Sequence, residues 1–411
     1  MNEADAPDRA ARDQPPKARL IPELLLYYVL VALYFFAFGM QFVLFPSLVA
    51  FYLQASPEGV GLAQSALSAP MFCFLLFGGL LAERARPSTT LAQLQLVFVI
   101  ATIGLYLAVE QDWLTYPLLI GYAILVGFCA ALLMPVRDAA LNGVVAREAA
   151  RGKHIPIATA AAMTTAVQIG AQIAGIVVSR NAGADPAPYL ALQAGVLFVG
   201  AIVALGLSGP KPTGHERTLS GALRDMGDGL SYAFRNAVMS PMLISAAYVG
   251  VFMIGAGQVL FPLIIRDAYG GDAAMQAGRL ATLFACFWGA SFVSAVILSR
   301  MKPLQQPGRT LIITHLVSAA ALITFAWDKP FTMFVGVVLI WGLAAGVSIS
   351  MSRTIVQSSA EPRYLGRVLA VYSMGFMGGA PIGSVIVGFA VSHMGARSAA
   401  LALGASLVSL G

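Results

Sequence analysis

The sequence VLFP at residues 43–46 recurs at residues 259–262, an offset of 216 residues. The same offset relates three further pairs of residues, each at the ends of equivalent apolar stretches: Arg84 and Arg300, Arg86 and Lys302, Arg137 and Arg353. Coincidence between two apolar segments is the alternative. Because the matches fall at equivalent ends, the pattern indicates two homologous halves and predicts a fold of two similar bundles.

The composition excludes a water-soluble protein. Of the 411 residues, 58% are hydrophobic and only 11% are charged, whereas soluble domains carry about 25% charged residues. The mean hydropathy is +0.79. Too little polar surface is present to cover a globule, so a soluble enzyme, a disordered chain and a nucleic-acid-binding protein are excluded, although the net charge is +6.

Twelve stretches are apolar and long enough to cross the roughly 30 Å hydrocarbon core of a bilayer. They cover residues 24–53, 60–82, 91–109, 114–136, 156–179 and 188–208, then 239–265, 274–298, 310–327, 331–352, 366–392 and 396–411. Since six is even, both halves begin on the same side of the membrane. We therefore predict an all-α membrane protein with twelve transmembrane helices in two parallel-repeat six-helix bundles, an architecture typical of secondary transporters.

Polar segments divide the chain into four parts. We predict a cytosolic tail over residues 1–22, bundles over 23–208 and 238–411, and a cytosolic linker over 209–237. The linker carries apolar residues at helical spacing, which predicts an amphipathic helix on the membrane surface. A disordered loop is the alternative. The first twenty residues have no apolar centre and thus no secretory signal.

The basic residues indicate the orientation. With the N-terminus in the cytosol, 20 of the 25 Lys and Arg residues fall on the cytosolic side of the twelve predicted spans. Because cytosolic loops of membrane proteins are enriched in Lys and Arg, we expect a multi-pass protein of the cytoplasmic (inner) membrane with both ends in the cytosol.

The second predicted span ends in the sequence GGLLAERAR at residues 78–86. This segment resembles the loop signature of the major facilitator superfamily, with Glu83 for the usual Asp and Pro87 where a further base is common. The resemblance implies that Glu83 pairs with a base on the fourth span and faces the start of the eleventh, near Arg367. A simpler alternative is that Arg84 only follows the charge bias.

The resemblance extends over most of residues 24–392 and favours one branch. The sequences PVR at residues 135–137 and GRV at residues 366–368 are similar to those of enterobactin-type siderophore exporters and macrolide efflux pumps. From the resemblance we expect six residues to act in gating or coupling: Glu83, Arg84, Arg137, Asp138, Arg353 and Arg367.

Uncharged polar residues at depth are the candidates for binding a substrate. In the superfamily the first, fourth, fifth, seventh, tenth and eleventh spans border the cavity, and four glutamines lie in these spans: Gln41, Gln168, Gln172 and Gln258. Tyr34 and Phe38 share a helical face with Gln41. Aromatic rings around amides suit a bulky amphipathic ligand. The alternatives are hydrogen bonds between helices and packing in the core.

No Asp, Glu, Lys or Arg lies in the middle of a predicted span, although such residues often carry a coupling ion. Coupling to protons, which the resemblance implies, would run through Glu83 or Asp138, or another ion drives transport. The three cysteines have no partner at a metal or redox spacing. We expect no cofactor and no metal.

These observations predict a transporter that exports a small amphipathic molecule, drug-like or siderophore-like, by alternating access. The segment at residues 170–175 resembles a degenerate antiporter signature, which favours export. Alternatives are an uptake transporter, a lysophospholipid flipper, and a receptor or scaffold that does not transport. An enzyme is disfavoured because no reactive cluster lies at depth. The expected partners are the substrate, protons and the lipid bilayer, without nucleic acid, and the protein is expected to be a monomer.

Overall fold

The computed structural model describes residues 22–84, 86–208, 219–301, 306–361 and 364–408. These residues form helices joined by short turns, with no strand among them. The predicted tail up to residue 21 and residues 209–218 of the predicted linker lie outside this part of the chain.

The first half contains six helices, and the linker and second half contain the others. The first six are α1 (Glu23–Tyr52), α2 (Pro57–Arg84), α3 (Pro87–Glu110), α4 (Tyr116–Ala150), α5 (Ile157–Val178) and α6 (Ala187–Leu205). The linker helix (Leu219–Arg235) precedes α7 (Met239–Tyr269), α8 (Ala273–Arg300), α9 (Pro307–Thr324) and α10 (Phe331–Ser359). A last helical stretch, Leu365–Val408, is interrupted at Gly395, where φ is 79° and ψ is 159°. This break separates α11 (365–394) from α12 (396–408).

Ten of the described helical stretches are long and apolar enough to span a bilayer. The stretch that contains α11 and α12 is one of them. The all-α membrane fold is therefore confirmed, while twelve crossings stay a prediction. Hydropathy predicted the end of the fourth span near residue 136, but α4 continues as a helix to Ala150.

The two halves pack their helices in the same way. A Cβ at Gly39 of α1 would lie 2.0 Å from the carbonyl oxygen of Gln172 in α5. In the second half, a Cβ at Gly383 of α11 would lie 1.8 Å from the carbonyl oxygen of Val251 in α7. In both places glycine lets two backbones touch, which is how helices associate closely in lipid. The pairs α1–α5 and α7–α11 are equivalent in the repeat.

The repeated VLFP sequence has the same structural consequence in each half. Pro46 is followed by a π-helical turn at Leu48–Tyr52, and Pro262 by another at Ile265–Tyr269. Proline has no N–H to donate and disturbs the helical hydrogen-bond ladder, and wider turns accommodate such disturbances. The repeat thus extends from sequence to backbone geometry.

The halves contact each other closely at one end of the molecule. We name this end the distal side, and the opposite end, which holds Glu23 and the linker helix, the linker side. A Cβ at Gly61 of α2 would lie 2.4 Å from the carbonyl oxygen of Ser384 in α11, and one at Gly183 would lie 1.8 Å from that of Ala273. Backbone therefore meets backbone between the two halves on the distal side.

Two polar contacts add to this closure, and together we name them the distal latch. Nη1 of Arg266 donates a hydrogen bond to the carbonyl oxygen of Ala55 at 2.7 Å. The hydroxyl of Ser392 donates to the carboxylate of Glu58. Each bond joins the first half to the second, so the distal side is closed in this conformation.

A buried ion cluster ties the first half together on the linker side. Glu23 is fully buried and accepts hydrogen bonds from Arg147 Nη2 at 2.7 Å and from the Ser208 amide at 2.8 Å. Arg151 Nη1 lies 3.3 Å from both Glu23 and the buried Glu148. The cluster joins α1, α4 and the end of α6. Sequence reasoning placed Glu23 at the start of the first bundle and the two arginines in a cytosolic loop, and it missed the cluster, whose signal was an acid at the start of an apolar helix.

We predict that Gly61→Val opens the distal side, because the new side chain would collide with the backbone of Ser384. The measurement is labelling of Ala277→Cys, a buried distal position, by a membrane-impermeant maleimide after replacement of the native cysteines. Labelling should rise severalfold. Gly79→Val on the same helix is the control, because a Cβ there meets nothing within 4 Å. Equal labelling in both variants would contradict the prediction.

Glu23→Gln should destabilise the protein, because two arginines lose a buried carboxylate. Breaking a buried ion pair costs about 3 kcal/mol or more. We expect the thermal unfolding temperature of the detergent-solubilised protein to fall by several degrees. Glu110→Gln, an exposed residue at the end of α3, should leave it unchanged. A Glu23→Gln variant as stable as the wild type would show that the cluster contributes nothing.

Candidate functional site

A cavity of about 100 Å³ lies between the two halves. Its walls come from α1, α2 and α4 of the first half and from α7 and α8 of the second. The lining residues are Phe38, Gln41, Phe42, Pro46, Gln64, Leu67, Ser68, Met71, Val126, Gly127, Ala130, Gln258 and Phe284. None of these thirteen residues is ionisable, and most are apolar. The cavity therefore suits an uncharged group with few polar atoms.

Aromatic rings form a continuous contact from one half to the other beside this cavity. The ring centres of Phe38 and Phe42 in α1 are 5.4 Å apart. Phe42 lies 5.4 Å from Phe284 and 5.9 Å from Trp288, both in α8. These are separations at which aromatic rings attract each other. Movement of the halves would change the Phe42 contacts, so the aromatic surface is sensitive to the conformation.

Gln41 is the polar centre of the first half. Its Oε1 accepts hydrogen bonds from the Tyr122 hydroxyl at 2.9 Å and from Gln193 Nε2 at 3.0 Å. Gln193 Nε2 also donates to the carbonyl oxygen of Ala37 at 2.9 Å. The Nε2 of Gln41 is buried and has no hydrogen-bond partner among the described residues. Gln41 thus has one satisfied end and one unsatisfied end.

The second half contributes Gln258, whose Oε1 is also buried without a partner among the described residues. Sequence reasoning placed both Gln41 and Gln258 at the cavity, and the structure brings them to its wall. It also places Gln64 there, which sequence reasoning missed because α2 is not a cavity helix in the superfamily. Ligand binding by these residues stays a prediction.

Of the other predicted binding residues, one lines the cavity and three do not. Phe38 lines the cavity, and Tyr34 is stacked on it with ring centres 6.1 Å apart. Tyr34 is itself buried, and its hydroxyl has no partner among the described residues. Gln172 is buried where α5 meets α1, and neither it nor Gln168 lines the cavity. The α5 amides are therefore separate from the Gln41 and Gln258 pair in this conformation.

Arg137 and Asp138 form an ion pair on the linker side. The distance between Arg137 Nη2 and Asp138 Oδ1 is 2.6 Å; the arginine side chain is 9% exposed and the aspartate 65%. Arg137 Cζ also lies 4.9 Å from the centre of the Phe35 ring, a cation–π distance. Its Nη1 is buried without a partner among the described residues. The pair joins a water-exposed acid to a buried base.

Neither Arg353 nor Arg367 is brought together with this pair. The Glu83 and Arg84 side chains lie outside the part of the chain that the structure describes, so their pairing is untested. Arg353 is exposed at the end of α10. Arg367 lies 4.0 Å from Asp228 of the linker helix, a contact that sequence reasoning did not anticipate.

The linker helix packs on the start of α11. The rings of Tyr232 and Tyr364 are stacked with centres 4.2 Å apart, and the backbone amide of Glu361 donates to the Tyr232 hydroxyl at 3.3 Å. The linker helix is thus held by the second half. Among the described residues, no group of three His, Cys, Asp or Glu residues could hold a metal ion.

Comparison with known proteins agrees with this architecture. Enterobactin exporter EntS of Citrobacter koseri (strain ATCC BAA-895 / CDC 4225-83 / SGSC4696) is 25% identical over 360 residues, covering 86% of this chain and 81% of the exporter. EntS of Escherichia coli O139:H28 (strain E24377A / ETEC) is 24% identical over the same shares of the two chains.

Solved structures show the same fold at low sequence identity. The nucleoside transporter NupG has a TM-score of 0.76 at 13% identity, covering 95% of this chain and 97% of NupG. A bacterial homologue of the human lysosomal transporter Spinster, in an inward-facing and unoccupied conformation, has a TM-score of 0.64 at 17% identity, covering 94% of this chain and 93% of the homologue.

The sequence model described as Major Facilitator Superfamily matches residues 27–384. This match includes all helices that line the cavity and all but the last part of the second half. The chain belongs to the major facilitator superfamily.

Proposed function

We propose that this protein exports a small amphipathic molecule, siderophore-like or drug-like, across the cytoplasmic membrane by alternating access. The observation that carries the proposal is the cavity between the halves, whose wall includes aromatic rings and two glutamines, Gln41 and Gln258, each with an amide atom that has no partner among the described residues. The similarity to proteins named enterobactin exporter supports export over uptake. Uptake is the alternative that the vesicle experiment distinguishes from export.

The charges and the contacts support an orientation for the conformation that the structure shows. The excess of Lys and Arg on the linker side supports a cytosolic linker side, and the distal side then faces outward. The Gly61–Ser384 contact and the distal latch close that side. In this orientation the conformation is closed to the outside, and exchange of substrate takes place on the cytosolic side, from which we propose that substrate enters.

The cavity must enlarge to hold such a substrate. Its volume of about 100 Å³ is less than the roughly 150 Å³ of a cavity that binds benzene. A siderophore-sized molecule therefore occupies it only when the halves separate on the linker side. Substrate contacts with both Gln41 and Gln258 would link ligand binding to the relative position of the halves.

Proton coupling is proposed to use the Arg137–Asp138 pair. Asp138 is reached by water, while Arg137 is buried and depends on it for charge neutrality. Protonation of Asp138 would leave the arginine without its counterion, which is unfavourable in a buried setting. The protonated pair would therefore favour a different conformation. Protonation of the exposed Asp138 would in this way change the helix packing around the buried Arg137.

Transport is tested in inside-out vesicles with an acidic interior, using a radiolabelled tricatecholate siderophore and a labelled macrolide as probes. We expect at least one probe to accumulate, because export in cells corresponds to uptake by such vesicles. The double variant Gln41→Leu with Gln258→Leu should reduce accumulation about tenfold through the loss of two hydrogen bonds. Gln111→Leu, an exposed position, should not. Neither probe accumulating, or accumulation in right-side-out vesicles instead, would refute export.

Asp138→Asn should abolish accumulation driven by the proton gradient but leave exchange of labelled for unlabelled substrate at equal pH. The reason is that exchange needs the conformational change without net proton movement. Asp112→Asn, an exposed distal residue, is the control because asparagine tolerates its positive φ of 54°. Unchanged gradient-driven transport by Asp138→Asn would exclude this residue as the proton carrier.

A further inference from the structure

The hydrogen bonds of the first half determine which end of the Gln41 amide is free. A glutamine amide has an acceptor oxygen and a donor nitrogen of similar shape, so its orientation is deduced from its partners. A backbone carbonyl can only accept. Its partner atom on a neighbouring amide must therefore be the nitrogen. The Ala37 carbonyl thus determines the orientation of Gln193, and Gln193 in turn determines that of Gln41.

The Gln193 atom 2.9 Å from the Ala37 carbonyl oxygen must be Nε2, because that oxygen needs a donor. The same Nε2 lies 3.0 Å from Gln41, and the Gln41 atom that it meets must therefore be Oε1. The Tyr122 hydroxyl donates to this Oε1 as well, at 2.9 Å. Both partners consequently direct the oxygen of Gln41 into the bundle and leave Nε2 free.

The free Nε2 belongs to a residue on the cavity wall and has no partner among the described residues. A buried donor without an acceptor is unfavourable, especially where lipid surrounds the protein. The bundle retains it although a rotation of the amide would exchange the two ends. Gln193 is fully buried and Tyr122 is 5% exposed, so neither is free to follow such a rotation. The donor is therefore held in place.

We propose that Gln193 and Tyr122 are positioning residues that fix Gln41 as a hydrogen-bond donor to the cavity, so that the site selects an aromatic group bearing an acceptor oxygen. A carbonyl or phenolic oxygen meets this requirement, and a hydrocarbon ring of the same size does not. The inference rests on the proposed function in one respect, namely that the cavity binds ligand.

The experiment compares two fluorinated probes, 4-fluoroacetophenone and 1-ethyl-4-fluorobenzene, by ¹⁹F NMR. They have similar size, and only the ketone has an acceptor oxygen. Both probes are larger than benzene and bind when the halves separate on the linker side, so the full chain is placed in lipid nanodiscs, where its halves are free to move. Empty nanodiscs correct for partitioning into lipid. The measured quantity is the ratio of the two dissociation constants. A general loss of stability weakens the binding of both probes equally and leaves this ratio unchanged.

The wild type should prefer the ketone by about fivefold, the effect of one hydrogen bond. Gln193→Met and Tyr122→Phe should each reduce this preference by at least half, with the hydrocarbon affinity within twofold of wild type. Tyr122→Phe also serves if Gln193→Met does not fold. Gln95→Met is the matched control, since Gln95 is a buried amide in the same half with no hydrogen-bond partner among the described residues.

The outcomes test separately whether the cavity binds ligand and whether Gln41 is oriented as a donor. If the wild type binds both probes equally, the cavity is a ligand site but the donor role of Gln41 is wrong. An undiminished preference in both positioning variants shows that Gln41 needs no orientation by them. If neither probe binds to the wild type, the cavity is not a ligand site, and the proposed function loses its main support together with this inference.

Discussion

The structure depends on close contact between helix backbones at glycine. Lipid tails are as apolar as leucine, so burial of apolar side chains does not drive helices together inside a bilayer. Where Gly39 meets Gln172 and Gly383 meets Val251, a single Cβ would overlap the neighbouring carbonyl oxygen. These contacts set the separation of the helices within each half, and Gly61 sets it between the halves. The central cavity is the space left where bulky side chains such as Phe42 hold the helices apart.

The second constraint is the absence of water from the protein interior and from the hydrocarbon core, which makes each buried polar group dependent on the protein. Glu23 satisfies this condition through arginines and a backbone amide. Gln193 satisfies it in part, through Ala37 and Gln41. Two of the residues that keep an unsatisfied group, Gln41 and Gln258, line the same cavity.

Much of the fold was predictable from sequence. Hydropathy identifies each apolar helix from its own residues, and the 216-residue offset is visible when the two halves are compared. The site was predictable only in part. Gln41 and Gln258 were expected at the cavity and lie on its wall, whereas Gln172 lies at a helix contact. Helical periodicity does not say which neighbour a face meets. Gln193 was missed for the same reason, since it contacts Gln41, which is 152 positions away in the sequence. The helical extension of α4 was missed because hydropathy identifies only the part of a helix that lies in the membrane.

The π-helical turns after Pro46 and Pro262 have a consequence for how insertions and deletions are tolerated. A π-helical turn closes its hydrogen bond over one more residue than an α-helical turn does. Loss of one residue at Ile265–Tyr269 would therefore let the segment revert to a regular helix without breaking the chain. The side chains before and after the turn would keep their register, because the wider turn holds one extra residue, whereas Arg266 within the turn would point away from Ala55. A single-codon deletion there would thus alter the contact across the halves while leaving the lipid-facing sequence almost intact.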